Sequence, residues 1–111
     1  MSSVVVRSTD RDVVERAVAR HAARLRAERQ DVVRIIWFGS WTTGLPGAGS
    51  DVDLCVVVSH SDLPRRQRVP DFLPVGFPVG VDLVVYTEPE FAALRGTQPA
   101  WLAAIEAGRD V

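Results

Sequence analysis

A helical pattern of apolar residues occupies the first third of the chain. In residues 10–29, apolar side chains recur every three or four positions, at Val14, Val18, His21/Ala22 and Leu25. This spacing predicts an amphipathic helix, with Thr9 or Asp10 capping its start. The pairs Asp12/Arg16 and Arg24/Glu28 place opposite charges one turn apart, which favours ion pairs on the exposed face. An arginine-rich, solvated outer face is expected.

Three later segments are typical of buried strands, because they are rich in β-branched residues and have few polar interruptions. They are Val32–Phe38, Asp51–Val58 and Val79–Tyr86. Thr42–Ser50 is rich in glycine and is predicted to be a loop, or a very short helix followed by a loop. Residues 59–78 contain four prolines, with one short helix expected near Leu63–Arg68.

The residue pattern in the last part of the chain predicts two helices. They are Glu88–Leu94 and Pro99–Ala107, the second with proline in its first turn and Gly108 as its stop. Together, the elements indicate an α/β (α+β) fold in which helices pack against a short sheet. The length fits one domain spanning residues 1–111.

Composition excludes several classes of protein. All 13 basic residues are arginine, so the lysine of a phosphate-binding Walker loop or of a Schiff-base enzyme is missing. The net charge of -1 argues against a protein that wraps nucleic acid. Cys55 is the single cysteine, which excludes an intramolecular disulfide and favours a reducing compartment. No apolar run reaches the roughly 18 residues that span a membrane, so a cytoplasmic protein is expected.

Three aspartates stand at unusual positions in the predicted strands. Asp51 and Asp53 are two apart and are expected on one sheet face, while Asp82 interrupts an otherwise apolar strand. If the two strands are neighbours, facing side chains lie about 5 Å apart and three carboxylates meet. Alternatively, Asp51 only caps a strand and Asp82 faces solvent. The combination favours a site, because no arginine lies between Arg34 and Arg65 to neutralise these charges.

Oxygen ligands of this kind favour a hard cation, and Mg²⁺ is the expected metal. Two such ions about 4 Å apart are the usual arrangement for in-line nucleotidyl transfer. A second motif adds to this picture. Gly39-Ser40 ends the first strand, where glycine lets a phosphate approach the backbone and serine can donate its hydroxyl. Ten residues separate Ser40 from Asp51, so the motif is G-S-x10-D-x-D.

With these motifs, the sequence resembles the minimal nucleotidyltransferases of the DNA polymerase β superfamily. The matching segments run from Ile35 to Gly44, from Gly49 to Val56 and from Val81 to Val84. The resemblance implies a polymerase β palm-like nucleotidyltransferase fold, with a short mixed sheet and helices on one side.

The resemblance also implies roles for individual residues. Gly39, Ser40 and Ser50 would bind the nucleotide, Asp51 and Asp53 would ligate the metal ions, and Asp82 would be a further ligand that helps deprotonate the acceptor. The segment departs from the family at Thr43, where many relatives carry arginine.

Small members of this family resemble antitoxins that transfer AMP from ATP to a tyrosine of a small helical HEPN-type toxin. The resemblance therefore implies ATP as substrate and a helical HEPN-type partner. Two alternatives remain open: an antitoxin that acts by binding alone, and an enzyme that modifies a small molecule. About 111 residues are expected to leave no separate acceptor-binding domain. The acceptor would then be held by a partner chain, by a second subunit or by the shallow site itself.

Overall fold

The chain forms a mixed four-stranded sheet with helices. The computed structural model describes the backbone of residues 2–43 and 51–111, and the side chains of residues 11–42 and 51–111. In chain order, the elements are α1 (Ser2–Glu28), β1 (Val32–Phe38), α2 (Ser40–Thr43), β2 (Val52–Val58), α3 (Arg65–Arg68), a 3-10 turn (Val69–Asp71), β3 (Val81–Thr87), α4 (Glu88–Thr97), α5 (Pro99–Glu106) and β4 (Arg109–Asp110).

The first helix is longer than the sequence pattern predicts. It begins at Ser2, so Thr9 and Asp10 lie inside it and the predicted cap at these residues is wrong. Extending a helix that is already nucleated adds one hydrogen bond per residue, which allows the helix to continue through residues that have no amphipathic signal. The two predicted C-terminal helices are confirmed, the first of them three residues longer than expected.

The strand order in the sheet is β3-β2-β1-β4. β1 pairs antiparallel with β2, and β2 pairs parallel with β3. β4, which the sequence pattern did not predict, pairs antiparallel with β1 through Ile36 and Trp37. This arrangement brings the end of β1 and the starts of β2 and β3 to one end of the sheet.

Both faces of the sheet are covered, so the expectation of helices on one side is wrong. Alternate strand residues, including Trp37, Leu54 and Val85, pack with α1 in a first core. The intervening residues, including Ile36 and Cys55, pack with α4 and α5 in a second core. The central strands are apolar on both faces, and each face therefore needs its own layer of helices.

The start of α4 is fixed by a capping box. The Thr87 hydroxyl accepts a hydrogen bond from the Glu90 amide at 3.3 Å, and the Glu90 carboxylate accepts one from the Thr87 amide at 2.9 Å. Glu90 also accepts a hydrogen bond from Arg68, with 2.6 Å between Nη1 and Oε1. Arg68 lies in the long β2–β3 connection and is only 5 % exposed. Its contact with Glu90 therefore links this connection to α4.

Candidate active site

Two of the predicted aspartates are direct neighbours across the sheet. Asp53 in β2 is the register partner of Asp82 in β3, and it also lies opposite Phe38, the last residue of β1. In a parallel pair, register partners project from the same face. Both carboxylates therefore lie on the α4/α5 face, at the end of the sheet where Gly39 and Ser40 follow β1.

Asp51 joins the same sheet end from the residue just before β2. Its carboxylate lies directly over Gly80, because a Cβ added at Gly80 would overlap Asp51 Oδ1. The adjacent backbone is fixed by a hydrogen bond of 2.9 Å from the Val52 amide to the Gly80 carbonyl. The absence of a side chain at Gly80 thus leaves room for the carboxylate.

A second glycine makes room for Asp53. Gly39 has a φ of +88°, in the left-handed region that glycine tolerates best, and a Cβ added there would overlap Asp53 Oδ2. The Gly39 carbonyl accepts hydrogen bonds from the Thr42 amide at 3.1 Å and the Thr42 hydroxyl at 3.0 Å. These bonds fix the turn in which the exposed Ser40 begins α2.

The charges of Asp82 and Asp51 act on the carboxylate of Asp53. Partial burial raises the pKa of Asp53, and the negative charges of Asp82 and then Asp51 raise it further. Asp51 and Asp82 are exposed, whereas Asp53 is half-buried. Among the described residues, no side-chain hydrogen bond or ion pair neutralises any of the three carboxylates.

The chemistry of this donor set fits a hard divalent cation. Mutual repulsion and the lack of a described counter-charge are what a bound cation would relieve. Within residues 11–42 and 51–111, no three acidic, histidine or cysteine side chains are already arranged as a metal cage. Asp51, Asp53 and Asp82 thus share one end of the sheet without forming a three-carboxylate cage in the described part of the chain.

Some of the predicted site lies outside the described residues. Ser50, the third predicted nucleotide contact, falls in the segment 44–50, and the side chain of Thr43 is likewise not described. Of the predicted site residues that are described, Gly39, Ser40, Asp51, Asp53 and Asp82 lie at the same end of the sheet.

Arg11 is a residue at this end that sequence reasoning missed. Its guanidinium donates a hydrogen bond of 3.1 Å to the carbonyl of Trp41, next to Ser40, and lies 5.7 Å from the centre of the Trp41 ring. The sequence shows only that residues 35–64 contain no cation. The fold supplies one from α1, across 30 positions of the chain, where no local motif signals it.

Four other side chains, two tryptophans, one histidine and the cysteine, have structural contacts or are buried. Trp41 packs in the first core, and Trp101 donates a hydrogen bond of 2.9 Å to the Tyr86 hydroxyl. His21 is buried and donates a hydrogen bond of 2.7 Å to the Phe72 carbonyl. Burial raises the pKa of Cys55 to about 12, so its thiol is neutral although it lies two residues from Asp53.

Comparison with known families identifies the class of protein. A family model described as a nucleotidyltransferase domain matches residues 18–102 of the 111-residue chain. The chain belongs to this nucleotidyltransferase family. The matched range contains all the aspartates of the site as well as Gly39 and Ser40, and the mixed α/β architecture agrees with the fold.

Membership in the nucleotidyltransferase family gives the general reaction, the transfer of a nucleotidyl group from a nucleoside triphosphate. No curated protein and no solved structure matches the chain. None of the helices in the described part of the chain is long and apolar enough to cross a membrane.

Proposed function

We propose that the protein is a metal-dependent adenylyltransferase that moves AMP from ATP to a tyrosine hydroxyl of a helical HEPN-type partner, and so acts as its antitoxin. The observation that carries the proposal is the placement of Asp53 and Asp82 as register partners beside Gly39-Ser40. Family membership supports the transfer reaction, and this geometry supports the assignment of the residues that perform it.

Each residue has a distinct role in the proposal. The backbone at Gly39, which has no side chain, and the exposed hydroxyl of Ser40 receive phosphate oxygens of the triphosphate. Asp82 accepts the proton of the acceptor hydroxyl, whose oxygen attacks the α-phosphorus as pyrophosphate leaves. Arg11, which is ion-paired with Glu15, fixes the Trp41 carbonyl next to Ser40 at the same sheet end.

Asp51 and Asp53 are the proposed ligands of two Mg²⁺ ions, with Asp82 as a further ligand. When bound, the ions neutralise the triphosphate and lower the pKa of the attacking hydroxyl. The unneutralised carboxylates and the raised pKa of Asp53 support this assignment. No arginine lies between Arg34 and Arg65, so the metal ions would neutralise most of the negative charge of the triphosphate.

The openness of the sheet end supports a macromolecular acceptor. Ser40, Asp51 and Asp82 are all exposed. A tyrosine on the surface of another protein can therefore approach the carboxylates without first entering a deep pocket. The same exposure leaves small hydroxyl compounds with few described groups to hold them, which ranks them lower as acceptors.

The test is transfer of label from ATP carrying a radioactive α-phosphate to a co-purified HEPN-type protein, in the presence of Mg²⁺. Asp53→Asn should abolish labelling, and Asp62→Asn, which alters an exposed aspartate of the β2–β3 connection, should leave it intact. Labelling that persists in Asp53→Asn would refute the proposed site.

A protection assay separates catalysis from binding. Cells that express the partner toxin should be rescued by the wild-type chain and not by Asp51→Asn/Asp53→Asn. Full rescue by the double variant, with intact complex formation, would instead establish an antitoxin that acts by binding alone.

A further inference from the structure

A row of three arginines lines a groove on the α1 face of the sheet. Arg16, Arg20 and Arg24 are exposed and follow one another at four-residue intervals, so they lie about 6 Å apart along the helix. Opposite them runs the segment 74–78. The groove between these walls has a volume of about 490 Å³.

These arginines are not neutralised by the rest of the described chain. The predicted pairs Asp12/Arg16 and Arg24/Glu28 do not form; the one ion pair within α1 among its described side chains joins Arg11 to Glu15. Arg24 donates only a long hydrogen bond of 3.4 Å to His21 Nδ1. No acidic side chain is among the described residues that line the groove. Three guanidinium groups therefore remain available for external anions.

The opposite wall of the groove is apolar. Val75 is 89 % exposed, the highest fraction among the large hydrophobic residues described. It stands beside Pro74 and Pro78, and Phe77 packs partly against the first core. An occupant must therefore combine anionic groups on one side with aliphatic groups on the other.

We propose that this groove is a docking surface for an acidic, amphipathic helix of another protein. Carboxylates at four-residue intervals on such a helix repeat about every 6 Å, matching the arginine row, and an adjacent aliphatic stripe would cover Val75. Arginine also forms bidentate hydrogen bonds with carboxylates and is enriched at protein interfaces.

Single-stranded RNA fits the groove less well. Proteins that bind RNA strands combine cationic grooves with exposed aromatic rings on which bases stack. Here, the exposed wall is aliphatic and proline-rich. Of the rings described in the lining, Phe77 is partly buried and His21 is buried. The observations therefore favour a protein ligand.

The surface is distinct from the carboxylate site. The groove lies on the α1 face, whereas Asp53 and Asp82 lie on the α4/α5 face. A partner docked in the groove thus leaves the carboxylates accessible. Docking is independent of nucleotidyl transfer, and the Asp53→Asn protein should bind the same ligand without ATP.

The test uses a fluorescein-labelled synthetic helix of about five turns, with glutamate at four-residue intervals and a neighbouring leucine stripe. Its binding is followed by fluorescence anisotropy. The triple variant Arg16→Gln/Arg20→Gln/Arg24→Gln should bind about tenfold more weakly than wild type. The matched control Arg65→Gln/Arg66→Gln/Arg95→Gln carries the same charge change elsewhere and should bind like wild type.

Four outcomes would overturn the proposal: no binding of the peptide, equal binding of a glutamine-for-glutamate peptide, equal loss in both triple variants, or tighter groove-dependent binding of a short single-stranded RNA. NMR chemical-shift mapping on the unmodified protein is a second measurement that does not depend on variant folding. It should show peptide-induced shifts in residues 13–24 and 74–78, and shifts confined to other regions would also refute the assignment.

Discussion

Gly39→Ala tests whether the close approach of β1 to Asp53 is needed for catalysis. Gly39 has a φ of +88°, and an alanine Cβ there would overlap Asp53 Oδ2. The backbone conformation alone costs about 1–2 kcal/mol for a residue with a Cβ. The overlap adds a second effect, because the Asp53 carboxylate must rotate away from its position beside Asp82.

The expected result has two parts. Thermal unfolding followed by circular dichroism should show a Tm lowered by roughly 5–10 °C, from the scale of domains of this size. At a temperature where the variant remains folded, nucleotidyl transfer should fall by far more than the change in folded fraction explains, because the displaced carboxylate no longer lies beside its neighbour.

Two other glycines separate these effects. Gly76 has a φ of +69° and no atom within 4 Å of an added Cβ, so Gly76→Ala isolates the backbone contribution to stability. Gly96 lies within α4, also with open space around an added Cβ. Gly96→Ala should retain activity, and its free energy of unfolding should rise by a few tenths to 1 kcal/mol. If folded Gly39→Ala transfers nucleotide as fast as wild type, the role given to this close approach is wrong.

Three further predictions concern stability and metal dependence. Glu90→Gln keeps a side-chain acceptor for the Thr87 amide but removes the charge beside buried Arg68, so the free energy of unfolding measured in urea should fall by about 1 kcal/mol. Glu90→Ala also removes the acceptor of the Thr87 amide, although the Thr87 hydroxyl still caps the helix, and should lose about 1 kcal/mol more. Equal unfolding midpoints for the two variants would contradict this. Burial lowers the pKa of His21 below 6.5, and Arg24 lowers it further. As the pH falls, the unfolded chain therefore binds the proton first. The contribution of His21 to the free energy of unfolding is fully present above pH 6.5 and should be lost as the pH falls below it. If His21→Gln shows the same decline of the free energy of unfolding with pH, His21 is not its cause. Chelation of divalent cations should abolish transfer, and Mg²⁺ should raise the Tm of wild type more than that of Asp53→Asn; transfer that persists without divalent ions would remove metal from the mechanism.

The strands were predictable because their signal is local. Val32–Phe38 matches the observed β1, and the other two strands differ from prediction by one or two residues at their ends. A strand buried on both faces is apolar at nearly every position, so its composition alone identifies it. The sequence predicted only that the carboxylates of Asp51, Asp53 and Asp82 meet if the two strands are neighbours; the register that sets Asp53 opposite Asp82 comes from the structure.

The features that were missed depend on contacts between distant residues. β4 consists of Arg109 and Asp110, which have no strand pattern. It forms because Gly108 lets the chain turn closely against the backbone of Trp37 and Phe38. The meeting of Arg11 with Trp41 is likewise a result of how α1 crosses the sheet. Neither contact leaves a signal in nearby sequence.

The burial of the single cysteine provides a reporter of conformational opening. Cys55 lies in the centre of β2, between Ile36 of β1 and Val84 of β3, and is fully buried. A neutral, inaccessible thiol reacts slowly with alkylating or aromatic disulfide reagents. The rate of labelling therefore measures how often the central strands separate, and it does so in the unmodified protein without an engineered probe.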